Sequence, residues 1–122
     1  MSALLQDSTE LFREPGTTRL SPNRVAKTLA LDLSALADAI GVHRNTLRLH
    51  PDSAKTQEGL RELNRVFLAL LEVKSDELQT AFHMMNTPIR VLGQRTLFEA
   101  VRDGDVDKAL RYIQTISGGQ NG

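Results

Sequence analysis

The stretch LSALADAIGVHRNTLR, residues 33–48, decides how the N-terminal half of this 122-residue chain folds. Ala37 is small enough for two helices to approach closely, and Gly41 can adopt the positive φ that a tight turn requires. Leu47 follows Ala37 by ten residues, which places it where a second helix packs back onto the first. We therefore predict two short helices, residues 33–40 and 44–49, joined by a turn at Gly41.

The spacing of these three residues resembles that of a helix-turn-helix, in which the second helix enters the major groove of DNA. In that groove arginine pairs with guanine and asparagine with adenine. The predicted DNA-binding residues are His43, Arg44, Asn45, Thr46 and Arg48. We expect the second helix to begin weakly, because His43 stands where a serine or threonine cap is usual, and to end before Pro51. The alternative is a helical hairpin that binds no nucleic acid.

The rest of the chain predicts further helices and no strands. Apolar residues recur at helical spacing, and no segment shows the sustained alternation of a half-buried strand, so we predict an all-α fold. Helices are expected from the Ser21-Pro22 start, at 56–73, from the cap at 75–77 to about 86, from the capping box at 96–99 to about 103, and at 106–117. Pro15-Gly16 and Leu92-Gly93 predict turns.

These elements predict four parts of the chain. They are an arm or linker at residues 1–20, a helix-turn-helix-like region at 21–55, a small helical domain at 56–117 and a flexible tail at 118–122. The arm carries apolar residues that are candidate dimer contacts, namely Leu4, Leu5, Leu11 and Phe12. The helix after residue 76 carries Leu78, Ala81, Phe82 and Met85.

Charge is balanced overall but not locally. Lysine and arginine number 15, as do aspartate and glutamate, so the formal net charge is zero. This balance excludes nucleic-acid binding through a diffuse positive field alone. Residues 19–50 contain five basic and two acidic side chains, so the basic excess lies in the segment with the predicted helix-turn-helix.

The residue types argue against an enzyme. The chain has no cysteine, and its three histidines, His43, His50 and His83, do not cluster. No glycine-rich phosphate loop or nucleophilic serine motif is present. We expect no catalytic residues, no metal and no cofactor. Because no apolar run reaches the roughly 20 residues of a membrane span and the N-terminus has no secretory features, we expect a cytoplasmic protein without a membrane partner.

The C-terminal half carries a series of motifs in a specific order. Phe82 precedes TPIRVLGQRTLFE, residues 87–99, which is followed by RDGD, residues 102–105, and an amphipathic helix. This order resembles the toxin-binding domain of the MbcA/ParS/Xre antitoxins, which a helix-turn-helix-like region precedes. The resemblance covers about residues 21–119. The chain departs from the family pattern in lacking its tryptophan, and in having Leu97 and Ile89 where the family has proline and asparagine.

The resemblance implies the antitoxin of a type II toxin–antitoxin system. Such antitoxins bind a RES-domain toxin, an enzyme that consumes NAD, and cover its active site with their C-terminal helix and tail. On this sequence the resemblance assigns toxin binding to Arg95, Arg102, Arg111, Tyr112, Thr115, Ser117, Gly118 and Gly119. It also implies repression of the protein's own operon through operator DNA, as a homodimer or a larger hetero-oligomer with the toxin.

Two other functions stay open from the sequence. One is a helix-turn-helix transcriptional regulator without a toxin partner, whose C-terminal domain serves dimerisation. The other is a helical scaffold with neither role.

Overall fold

Helices account for most of the residues in the computed structural model, which describes residues 11–121 and side chains through residue 118. The all-α prediction is confirmed for this part of the chain, which contains no strand. The helices are α1 (Pro22–Leu29), α2 (Leu33–Ile40), α3 (Arg44–Leu49), α4 (Ala54–Lys74), α5 (Glu77–Asn86), a 3-10 turn (Arg90–Leu92), α6 (Leu97–Arg102) and α7 (Val106–Asn121). No helix in this part is long and apolar enough to cross a membrane.

The chain divides into two compact units, Met1–Asn64 and Arg65–Gly122, with the boundary inside α4. In the first unit α1 packs against α2, and α2 against α3. In the second unit α6 packs against both α5 and α7, and the 3-10 turn contacts α7.

The starts of α1 and α2 follow the predicted capping signals. The Ser21 hydroxyl accepts a hydrogen bond from the Arg24 N–H (3.1 Å), and the Asp32 carboxylate accepts one from the Ala35 N–H (2.8 Å). Gly41 ends α2 with φ of 85°, in the left-handed region that glycine tolerates. Leu47 is buried, as the spacing predicted.

The described segment before α1, residues 11–20, contributes to the core of the first unit. Phe12 is 0% exposed and Leu20 is also buried. The Gln57 side chain accepts a hydrogen bond from the Leu20 N–H (2.9 Å) and donates one to the Leu20 carbonyl (3.0 Å). The prediction that Phe12 is a dimer contact is therefore wrong, because its ring is already covered. Leu4 and Leu5 lie outside the described residues.

A tight turn connects the two ends of this segment. Arg13 and Leu20 form an antiparallel bridge, and the predicted turn at Pro15-Gly16 is confirmed. Gly16 has φ of 74°, and the Thr17 N–H donates to the Glu14 carbonyl (3.2 Å).

The face that α5 buries differs from a simple apolar stripe. Thr80, Ala81 and Met84 are buried, whereas Leu78 and Phe82 are exposed. Burial of Thr80 is possible because its hydroxyl donates to the Asp76 carbonyl (2.7 Å), so this hydroxyl keeps a hydrogen-bond partner.

The capping box that starts α6 is confirmed. The Thr96 hydroxyl accepts from the Glu99 N–H (3.0 Å), and the Glu99 carboxylate accepts from the Thr96 N–H (2.9 Å). Gly93, with φ of 74°, forms the predicted Leu92-Gly93 turn.

The C-terminal helix is longer than the sequence indicated. α7 continues through Gly118 and Gly119 to Asn121, so residues 118–121 are helical and not the predicted flexible tail. Each helical glycine costs about 1 kcal/mol relative to alanine, which weakens a helix without ending it as a proline would.

Candidate interaction surfaces

Helix α3 exposes most of the residues predicted to contact DNA. His43, Arg44, Asn45 and Arg48 are exposed, and Thr46 is half-buried. Leu47 fixes this orientation, because its burial turns the opposite side of α3 toward solvent. The exposed side therefore carries two guanidinium groups and a carboxamide, the groups that read guanine and adenine edges.

His43 is a functional cap of α3. Its Nδ1 accepts a hydrogen bond from the Asn45 N–H (3.0 Å). The prediction that α3 begins weakly is therefore wrong, because the imidazole supplies the acceptor that serine or threonine would provide. Because Nδ1 caps the helix, Nε2 is the ring nitrogen of His43 that can contact a binding partner such as DNA.

Arg95 is committed to contacts within the second unit. Its guanidinium pairs with Asp103 (3.0 Å) and Asp105 (2.9 Å) and donates to the Leu92 carbonyl (2.7 Å). The hydrogen bonds that the guanidinium donates to Asp103 and Asp105 raise the pKa of Arg95. The side chain thus ties the turn before α6 to the turn before α7.

Arg102 lies at the edge of the same network. It is exposed and pairs with Asp103 (3.0 Å). Hydrogen bonds from Arg102, and then from Arg95, lower the pKa of Asp103, which keeps this carboxylate charged.

Two residues that the resemblance assigned to toxin binding lie together beside an exposed loop. Tyr112 and Thr115 of α7 line a shallow cleft of about 300 Å³ with residues 88–91. Val91 in this loop is 74% exposed. We name this depression the α7 cleft; neither Arg95 nor Arg102 lines it.

The other assigned residues follow along α7. Arg111 is exposed, and its carbonyl accepts a hydrogen bond from the Thr115 hydroxyl (3.0 Å). Ser117 is half-buried, Gly118 is exposed, and Gly119 continues the helix.

A second cleft in this unit was not predicted. Leu78 (83% exposed) and Phe82 (68% exposed) line a depression of about 360 Å³ together with Lys74, His83 and neighbouring polar residues. We name it the α5 cleft. It ends at Thr87, and the α7 cleft begins at the next residue of the chain.

His83 lies at the edge of the α5 cleft. Its Nε2 atom is buried and has no hydrogen-bond partner among the described residues. Burial lowers the pKa of His83, and the positive charge of Lys74 lowers it further.

Apolar spacing could not have identified the α5 cleft, because a stripe of leucine and phenylalanine indicates burial as readily as a binding surface. The sequence did contain one indication of a binding surface here, which is Phe82, the aromatic residue before the Thr-Pro pair.

Within residues 11–121, no group of three or more acidic or histidine side chains is placed to hold a metal ion. No family model, curated protein or solved structure matches this chain.

Proposed function

We propose that the protein is the antitoxin of a type II toxin–antitoxin system. In this proposal the second unit binds a RES-domain toxin and blocks the site where that enzyme consumes NAD. The first unit is a helix-turn-helix that binds operator DNA and represses the operon. The order of motifs from Phe82 to the last helix supports the choice of partner.

The observation that carries the protein-binding part is the exposed apolar surface of the second unit. Leu78, Phe82 and Val91 are all more than two-thirds exposed, and they line two clefts that follow one another along the chain. Exposed apolar patches of this kind mark protein-interaction sites. Aromatic side chains in such sites often contribute most of the binding free energy.

The blocking step is assigned to the end of α7. Arg111 and Tyr112 are the residue types that anchor interfaces, and they precede Gly118 and Gly119 on the same helix. A helix end with two glycines is narrow enough to enter an enzyme pocket. Covering the pocket excludes NAD without any chemistry by the antitoxin itself.

The DNA-binding part rests on the exposed face of α3. Arg44, Asn45 and Arg48 would reach base edges from the major groove, with α2 as the preceding helix. Because the chain has zero formal net charge, one copy gains little from long-range attraction to DNA. Repression therefore requires a homodimer or a larger complex with the toxin.

The proposal predicts that a neighbouring gene encodes a RES-domain toxin, and co-expression of the two proteins tests it. The wild-type chain should restore growth and form a stable complex. Phe82→Ser should weaken the complex about 30-fold, as for loss of a hot spot worth about 2 kcal/mol. Removal of residues 118–122 should abolish protection. Leu49→Ser is the matched control, since it changes an exposed leucine in the first unit and should have no effect on toxin binding.

Equal affinity of the wild-type chain and Phe82→Ser for the toxin would contradict the proposed binding surface. Full protection by the chain without residues 118–122 would contradict the blocking step.

The second candidate is a transcriptional regulator without a toxin partner, which the exposed face of α3 favours. Specific DNA binding without any complex with a RES-domain protein would identify it.

A further inference from the structure

We propose that the turn at residues 13–20, together with Arg24 of α1, contacts the DNA backbone beside the α3 face. This inference rests on the DNA-binding part of the proposed function and adds a surface outside the helix-turn-helix. We name residues 13–20 the entry hairpin.

The entry hairpin is held in one conformation. The Glu14 N–H donates to the Arg19 carbonyl (2.9 Å), and the Glu14 carboxylate pairs with the Arg19 guanidinium (2.9 Å). Gln57 fixes its far end through the Leu20 backbone. A rigid element loses little conformational entropy when it meets a partner, which favours a contact that positions the protein.

The surface beside the entry hairpin carries side chains that can donate hydrogen bonds to phosphate groups. Thr17, Thr18 and Arg24 are exposed and line a concave surface of about 660 Å³ with the rest of the turn. Arg24 forms no ion pair within the described part of the chain. Guanidinium and hydroxyl groups are the usual donors to DNA phosphate oxygens. Among the described residues that line this surface, Glu14 supplies the carboxylate, and that carboxylate is paired with Arg19.

The hairpin reaches the predicted recognition helix. A smaller cleft, of about 110 Å³, is lined by Glu14 and Asn23 on one side and by Leu47 and Arg48 of α3 on the other. Glu14 lines both clefts, and Asn23 is next to Arg24. The surface from Arg48 to Arg24 is therefore continuous within the first unit.

The short length of α3 explains why such a contact is needed. α3 has six residues, so it offers few side chains to hold a duplex. In protein–DNA complexes half or more of the hydrogen bonds go to phosphate and sugar, and these set the register of base reading. Contacts between the entry hairpin and the phosphates of one DNA strand would set that register while Arg44 and Arg48 contact the bases.

Fluorescence anisotropy with two labelled duplexes tests this contact. One duplex is the region upstream of the protein's own gene and the other has random sequence. Arg24→Ala should weaken binding to both by about fivefold at low salt, as expected for one exposed charge contact. It should also reduce the slope of log affinity against log salt by about 1. Arg24→Lys should retain the slope.

The matched control is Arg61→Ala, which removes an exposed arginine of α4 that lines neither cleft. Arg44→Ala serves as the base-reading variant and should reduce the preference for the upstream duplex. If Arg24→Ala behaves like Arg61→Ala while Arg44→Ala loses that preference, the backbone contact is refuted and the DNA-binding proposal stands. If the wild-type chain shows no preference between the duplexes and Arg44→Ala changes nothing, both are refuted.

Discussion

Gly59 allows α2 and α4 to approach each other, and replacing it with alanine should destabilise the first unit. A Cβ at this position would lie 2.5 Å from Cγ2 of Ile40, 3.0 Å from Cγ1 and 3.1 Å from Cβ. Carbon atoms in contact prefer separations of about 3.5–4.0 Å, so the packing must shift. Because Ile40 is branched at Cβ, rotation of its side chain cannot move all three atoms away.

Two opposing free-energy terms set the size of the stability change in Gly59→Ala. Overpacking a core site costs about 1–3 kcal/mol. Alanine inside a helix is favoured over glycine by about 1 kcal/mol. The difference predicts that Gly59→Ala lowers the free energy of unfolding by about 1 kcal/mol. Gly118→Ala is the matched control, because a Cβ there meets no atom within 4 Å. It should leave stability unchanged or raise it by up to about 1 kcal/mol.

Urea unfolding followed by circular dichroism measures both variants. Ile40→Ala removes two of the clashing carbons, so it should cost less in the Gly59→Ala background than in the wild type. A coupling free energy of about 2 kcal/mol is expected, within the range for residues in contact. If Gly59→Ala is as stable as Gly118→Ala and shows no coupling to Ile40, the close approach of α2 and α4 is refuted.

Three further predictions concern single side chains. His43→Ala should destabilise α3 by about 1 kcal/mol, because the Asn45 N–H loses its acceptor, whereas His43→Ser should retain the cap. DNA affinity and circular dichroism of the two variants measure the difference. Burial lowers the pKa of His83, so the unfolded chain binds a proton at higher pH than the folded chain. The free energy of unfolding should therefore fall as the pH falls through 6.5, the usual pKa of histidine. Urea unfolding at several pH values measures this dependence, which His83→Gln should remove. Arg95→Met should lower the urea midpoint, because Asp105 loses its ion pair with Arg95 and Asp103 keeps only its ion pair with Arg102.

Each of these has an outcome that contradicts it. Equal DNA affinity of His43→Ala and His43→Ser would show that the imidazole does not cap α3. Identical pH profiles for the wild type and His83→Gln would exclude His83 as the titrating group. Arg102→Met is the control for Arg95→Met, since Arg102 is more exposed and, among the described residues, pairs with Asp103 alone. An equal loss of stability in both variants would argue against the tie formed by Arg95.

Local signals predicted the helix starts well. Ser21, Asp32 and Thr96 each cap the helix that follows, because a capping hydrogen bond joins residues only three apart in the chain. The exposed face of α3 was predictable for a similar reason, since the position of Leu47 fixes which side of a short helix is buried.

Contacts between residues far apart in the chain could not be predicted from the sequence. The two hydrogen bonds between Gln57 and Leu20 join residues 37 apart, and no local pattern indicates them. The exposure of Leu78 and Phe82 was missed because hydrophobicity alone does not distinguish a buried face from a binding face. Local composition also suggested a tail from Gly118, whereas the helix continues.

We propose that this chain blocks the NAD-consuming site of a RES-domain toxin. The most direct measurement is the rate of NAD loss catalysed by the purified toxin, with increasing amounts of the wild-type chain or of the chain lacking residues 118–122. We predict that the wild-type chain stops NAD loss at a fixed stoichiometry and that the shortened chain binds the toxin but leaves NAD loss unchanged. Undiminished NAD loss at a saturating concentration of the wild-type chain would contradict the proposed blocking of the toxin.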